Sequence, residues 1–231
     1  MSIGSNSYAS ETSQSPQIFV RLRPPLRSEL KLTSESLGAV SIPGPSTVRI
    51  SQTDYSKDFT FTSVFPEFTP QAEVFEHSAL PLVHHVLNGY NGVYFVYGQT
   101  GTGKTHTMGT LTKMTVSSQG VIPQSLDYIF RYIEANQSAD CSFEVRVSFY
   151  QIYLDAIQDL LNPENKNLNI HEDEGEIYVD DLVEVPVGSV AQAMKLINAG
   201  LDFREVAAQN MNITSSRSHT ILNIELFVNA R

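Results

Sequence analysis

Two spacings of apolar residues organise the chain. Alternation, the signature of a half-buried strand, marks Gln17–Pro24 (QIFVRLRP), which runs into Pro-Pro and a fixed turn. Short strand-like pieces follow in VSIPGPSTVRISQT and KDFTFTSVF, broken by Pro, Gly and Ser. CSFEVRVSFYQIYLDAI reads as one β-rich strand, LNIHEDEGEIYVDDLVEVPV as a hairpin around an acidic turn, and His219–Asn229 as a final strand. Helical signals lie between them. TPQAEVFEHSALPLVHHVLNG has Thr69 as N-cap, Pro70 at the first helical position and Gly89 near the stop, with a kink or break predicted at Pro81. IPQSLDYIFRYIEAN places Leu126, Ile129, Phe130 and Ile133 on one helical face. SVAQAMKLINAGLDFREVAAQNMN is a third helix, with a break expected at Gly200. Gly92–Tyr97 (GVYFVY) is a short apolar run that predicts a buried strand, and Tyr90, Tyr94, Phe95 and Tyr97 are expected to pack within the sheet. Strands and helices alternate, which predicts an α/β fold with helices on both faces of a sheet. No internal repeat and no interdomain linker interrupts the pattern.

Composition narrows the picture. A length of 231 residues, 41% hydrophobic and 17% charged, is that of a globular chain with a real core. The first 16 residues (MSIGSNSYASETSQSP) are Ser-rich, with neither basic start nor apolar core, and read as a disordered leader; residues 17–231 form the domain. Cys141 is the one cysteine, so no intramolecular disulfide forms, as suits a reducing compartment. No apolar run approaches the roughly 20 residues of a membrane span. A net charge of −10 argues against nucleic acid as partner and works against docking on any acidic surface. His84-His85 point about 100° apart on a helix and do not converge on a metal. HEDEGE (His171–Glu176) lacks the spacing of a calcium loop.

Candidate chemistry centres on Gly98-Gln99-Thr100-Gly101-Thr102-Gly103-Lys104-Thr105, which fits G-x-x-x-x-G-K-[ST]. Wrapping a phosphate chain in backbone N–H groups requires that side chains be absent where it approaches, as at the three glycines. Lys104 supplies positive charge to the terminal phosphates, and the Thr105 hydroxyl is a hard oxygen ligand suited to Mg²⁺. The loop follows an apolar run and precedes a helix start, the context the motif needs. The guanine-reading N-K-x-D element is absent: Asn165–Leu168 ends in Leu where Asp would stand.

A second polar cluster, NITSSRSH (Asn212–His219), sits just before the last strand. Read alone, it is a turn-forming loop; placed after a phosphate loop, its hydroxyls suit a γ-phosphate and a metal. With it the chain resembles the kinesin motor domain over about Gln17 to Phe227. The resemblance rests on RLRP (Arg21–Pro24), FTSVF, YGQTGTGKTHTM, SFYQIYLDAIQDLL and NITSSRSHT, in family order. It implies an ATP-hydrolysing, Mg²⁺-dependent motor of the cytoplasmic cytoskeleton, with the microtubule (tubulin) as partner. Arg21, Arg23 and Pro24 would flank the adenine, with His106 on its other face. Gly98 to Thr105 would hold the phosphates and metal. Ser215 and Ser216 would approach the γ-phosphate and Mg²⁺, Asn212 would position that loop, and Arg217 would pair with an acidic residue of switch II.

The chain departs from the family pattern in three places. Gln151 stands where many members have Glu and Leu154 where many have Asn, changes expected to be of surface consequence only. Kinesins continue after the last strand into an Asp-Leu-Ala-Gly-Ser-Glu segment, which these 231 residues do not contain. The expectation that follows is a P-loop sheet incomplete at its C-terminal end, with an unpaired edge and an exposed apolar seam. Such a chain is expected to show no microtubule-stimulated turnover by itself, even if it binds ATP; the alternative reading is a non-catalytic nucleotide-binding fragment or an interaction module.

Overall fold

The computed structural model describes residues 15–26, 29, 39–109, 119–173, 175–210 and 218–230. Most of the Ser-rich leader lies outside them. The chain divides at Thr69/Pro70 into two compact units.

In the first unit, β1 (Phe19–Arg21) runs parallel to β5 (Ser63–Phe65). β1 is short because the chain reaches Pro24-Pro25, which have no amide to extend a ladder. β2 (Val40–Gly44), β3 (Thr47–Gln52) and β4 (Tyr55–Thr60) form an antiparallel sheet of three strands. Arg49 and Asp58 face each other across it, with Arg49 Nε 2.6 Å from Asp58 Oδ1.

The second unit opens with α1 (Gln71–Val74), a π-helical turn (Phe75–Ala79) and α2 (Leu80–Leu87). Pro70, not Thr69, is the N-cap. The disturbance expected at Pro81 is the π-turn just before it. Proline offers no N–H to the preceding turn, and the Leu80 amide reaches back to the Phe75 carbonyl instead. The buried Ser78 hydroxyl also donates to the Val74 carbonyl at 2.6 Å.

The centre of this unit is β6 (Cys141–Tyr153). β12 (Ser218–Ala230) pairs with it antiparallel along its whole length, while β11 (Val185–Val187) and β7 (Ala156–Asp159) share its other edge. β8 (Lys166–Leu168) pairs with β7. Val147, Ser148 and Phe149 are consecutive and all buried, so both faces of β6 are covered there. α4 (Val121–Asn136) buries Leu126 and Ile129, with Phe130 and Ile133 packed at the margin of the core, as the spacing predicts. α5 (Val190–Asn210) packs on β6 through the fully buried Ala193 and Ile197.

Several expectations are corrected. Gly200 does not break α5, which runs through it. A side chain at Gly200 would place its Cβ 2.7 Å from the Phe149 ring, so close helix–sheet packing is what glycine provides. The single strand expected from Cys141 to Ile157 is a hairpin, β6 and β7 joined through Leu154 (φ 47°) and Asp155 (φ 62°). Two successive positive φ angles are those of a type I′ turn, whose twist matches that of the strands. Gln151 is not a surface residue: it is buried opposite Gln158, with Gln151 Nε2 donating to Gln158 Oε1 at 3.0 Å. Gly92–Tyr97 forms no strand, and Val93, Phe95 and Tyr97 are 83%, 78% and 96% exposed. Of the four aromatic residues expected to pack in the sheet, Tyr94 alone is half-buried, its hydroxyl 2.9 Å from Ser78 Oγ.

The acidic hairpin is β9 (Ile170–Asp173) with β10 (Glu176–Val179), as read from the sequence. Asp159, fully buried, accepts from the Leu161, Asn162 and Val183 amides and fixes the chain as it leaves β7. His84 Nε2 lies 2.7 Å from the Tyr128 hydroxyl, and the His85 ring meets Tyr90 edge-on. Among the described residues no helix is long and apolar enough to cross a membrane.

Candidate phosphate-binding site

Residues 98–103 form a loop closed on itself. Gln99 and Thr102 make its turn: the Thr102 amide and hydroxyl both donate to the Gln99 carbonyl, at 3.2 and 2.8 Å. A Cβ on Gly98 would fall 2.6 Å from Thr102 Oγ1, within the loop's own turn. Gly103, at φ 99°, caps the following helix in the left-handed region that glycine adopts without a penalty. Both positions therefore need glycine for reasons of backbone, independent of any ligand.

The helix is α3 (Lys104–Met108). Lys104 folds back across the loop, its Nζ donating to the Gly98 and Gln99 carbonyls at 2.8 and 2.9 Å. The sequence thus places Gly98, Gln99 and Lys104 in one hydrogen-bonded group. Thr100, Gly101, Thr105 and His106 are exposed beside it. The loop fits a triphosphate: a cation held by flexible carbonyl contacts, glycines where a Cβ would meet nothing at 101 and 103, and an open hydroxyl at Thr105 for a hard cation.

Behind the loop the packing is close. Gly109 (φ 80°) ends α3 against Gly120, the N-cap of α4, where a Cβ on Gly120 would lie 2.3 Å from the Gly109 nitrogen. Gln71, 5% exposed, donates its amide to the His106 carbonyl at 2.5 Å. Gln124 donates in turn to the Gln119 carbonyl at 2.7 Å and to the Gln71 carbonyl at 3.3 Å. Sequence reading missed Gln71, since nothing local signals a contact 35 residues away.

In front of the loop is a cleft of about 1830 Å³, lined by Gly98, Lys104, Gln151, Arg204 and Ser218 among others. Arg204 Nη2 donates to Ser218 Oγ at 2.9 Å, tying the second half of α5 to the start of β12. Burial lowers the Arg204 guanidinium pKa from its usual value. Arg204 was also missed by the sequence reading; its one signal is its place shortly before NITSSRSH. Asn212, Ser215, Ser216 and Arg217 lie outside the described residues.

Arg21, Arg23 and Pro24 belong to the first compact unit. Arg21 donates to the Thr69 carbonyl at 3.2 Å. Arg23 is engaged by Glu29 in a two-pronged ion pair at 2.5 and 2.8 Å and also donates to the Pro24 carbonyl. Hydrogen bonding from Arg23, then from the Leu26 amide, holds the Glu29 carboxyl down at about 2.

The kinesin motor domain model matches residues 21–231. The kinesin heavy chain of Neurospora crassa is 38% identical over 218 residues, covering 94% of this chain and 23% of that one. Kinesin-related protein 5 of Dictyostelium discoideum is 40% identical over 221 residues, covering 93% and 22%. The solved structure of a fast kinesin, 38% identical, superposes with a TM-score of 0.85 over 93% of this chain and 60% of that one. The P-loop α/β fold is therefore that of a kinesin motor, and the chain spans under a quarter of the length of these two relatives. The chain belongs to the kinesin motor domain family.

Proposed function

We propose that the chain is the ATP-binding part of a microtubule-based motor, which in the complete protein couples ATP hydrolysis to movement on the cytoskeleton. The observation that carries this is the closed 98–103 loop with the Lys104 ammonium inside it, in a chain of the kinesin family. Lys104 exchanges the Gly98 and Gln99 carbonyls for phosphate oxygens, a trade that favours the ligand because contacts between two charged groups are the stronger ones. Gly101 and Gly103, where a Cβ would meet nothing within 4 Å, admit the phosphate chain. Thr105 and Ser216 offer hydroxyls to Mg²⁺, which neutralises charge on the phosphates. Ser215 and Ser216 act at the γ-phosphate side, Asn212 positions their loop, and Arg217 pairs with an acidic residue of switch II. Arg204 holds Ser218, the residue after Arg217, and so anchors that loop at its β12 end. His106 serves the base. Catalysis in the complete motor is positional and electrostatic, a water held in line with the terminal phosphate.

The test is titration of Mg·ATP into the chain and into Lys104→Ala. Losing charge-assisted phosphate contacts, each on the order of 1.5–3 kcal/mol, weakens binding about 10- to 100-fold or more. Equal affinities reject the reading. A second reading, nucleotide binding without turnover, is favoured by Gly92–Tyr97, which among the described residues joins no sheet before the loop. Microtubule-stimulated ATPase of the complete protein separates the two: turnover there supports the first reading, and ATP binding without turnover there supports the second.

A further inference from the structure

We infer that Gln71 is a positioning residue for nucleotide binding, acting through the backbone of His106; the inference rests on the ATP reading above. The last carbonyls of a helix lie beyond the reach of that helix's own amides. α3 is only five residues long, and Gly109 closes it in the left-handed conformation. Its orientation is therefore set by what holds its second half. Gln71 supplies that hold: a side chain 95% removed from solvent, reaching from the start of α1 to the His106 carbonyl at 2.5 Å. The Gln71 backbone is fixed in turn by Gln124, which also binds the Gln119 and Gly120 carbonyls, on the segment that abuts Gly109.

The geometry divides the site into two parts. Lys104 is held by the loop carbonyls, so the phosphate side is organised from in front. His106 is exposed and its carbonyl is held by Gln71, so Gln71 fixes the backbone from which the imidazole projects. A buried amide is a costly group to place, and one that donates to the backbone carbonyl of a residue with an exposed ring is explained by the direction it gives that ring. Gln71 touches no substrate in this scheme.

The experiment compares two probes on the full chain, Mg·ATP and Mg·tripolyphosphate, by calorimetric titration. Gln71→Leu keeps the volume and removes the donor. ATP affinity is expected to fall about three- to tenfold, the range of one hydrogen bond, while tripolyphosphate affinity stays within about twofold. In a His106→Ala background, Gln71→Leu has no further effect on ATP, because the ring it directs is gone. Equal loss on both probes, or additive loss in the double variant, overturns the inference and leaves Gln71 a structural residue. Where Gln71→Leu gives no cooperative melt, Gln71→Glu carries the test. It has the same shape and turns an oxygen toward the His106 carbonyl, so it must show the same selective loss; unchanged ATP affinity refutes. Wild-type protein that takes up neither probe removes the nucleotide reading itself, and that result is seen without any substitution at Gln71.

Discussion

Leu154 is the residue whose replacement gives the cleanest stability forecast. It occupies the first central position of the β6–β7 turn at φ 47° and is 74% exposed. An L-residue with a Cβ in the left-handed region costs about 1–2 kcal/mol, and Asn much less, because its short polar side chain bonds locally. Against that gain stands lost burial. Full burial of a leucine is worth about 1.5–3 kcal/mol, and only about a quarter of this side chain is covered, so the loss is at most about 0.4–0.8 kcal/mol. Leu154→Asn is therefore expected to stabilise by about 0.5 kcal/mol, which raises the Tm of a chain this size by about 1–2 °C. Leu154→Val runs the other way, since a β-branched side chain tolerates positive φ worst. The assay is thermal melting followed by circular dichroism, the three proteins at equal concentration. The expected order is Asn, then Leu, then Val. A valine variant as stable as wild type, or an asparagine variant less stable, would show that backbone strain does not govern this turn.

Glu29 supplies a pH forecast. Its folded pKa is about 2, below the usual 4.5, because Arg23 and the Leu26 amide favour the charged form. A lowered carboxyl pKa contributes stability that is complete above 4.5 and is lost as pH falls through that value toward 2. In Glu29→Gln the acid limb between those values should flatten; an identical limb rejects the pairing. Phe95→Lys should reduce concentration-dependent self-association in sedimentation velocity, because Val93, Phe95 and Tyr97 form an exposed apolar row on a segment that joins no sheet among the described residues. Association that survives the substitution places the sticky surface elsewhere.

What could be read from the sequence was what local spacing encodes. The phosphate loop, the acidic hairpin, the α4 face and the long alternation of β12 all depend on residues a few positions apart. Failures came where a distant neighbour decides. Gly200 looked like a helix break until Phe149 was seen against it. Leu154-Asp155 carries none of the usual Asn-Gly signal, so the turn was hidden inside a continuous β-rich run. Gly92–Tyr97 has the composition of a buried strand, but burial needs partners on both sides, and the segment belongs to no sheet. Gln71, Arg204 and Asp159 act through side chains that reach backbone or side chains far along the chain, or that are deeply buried, and periodicity does not report such contacts.

The pairing of β6 with β12 has a kinetic consequence. Its ladder joins Tyr153 to Ser218 and Cys141 to Ala230, residues far apart in the chain, whereas β6 and β7 meet across a two-residue turn. Loop-closure entropy delays the first pairing and hardly touches the second. The β6–β7 hairpin thus has the shorter path to formation, and α4 can dock on it before β12 is in place. Until β12 zips on, one full edge of β6 stays open to any other extended chain. The refolding yield of this protein should therefore depend steeply on concentration, and the vulnerable interval is the time β12 takes to find its place.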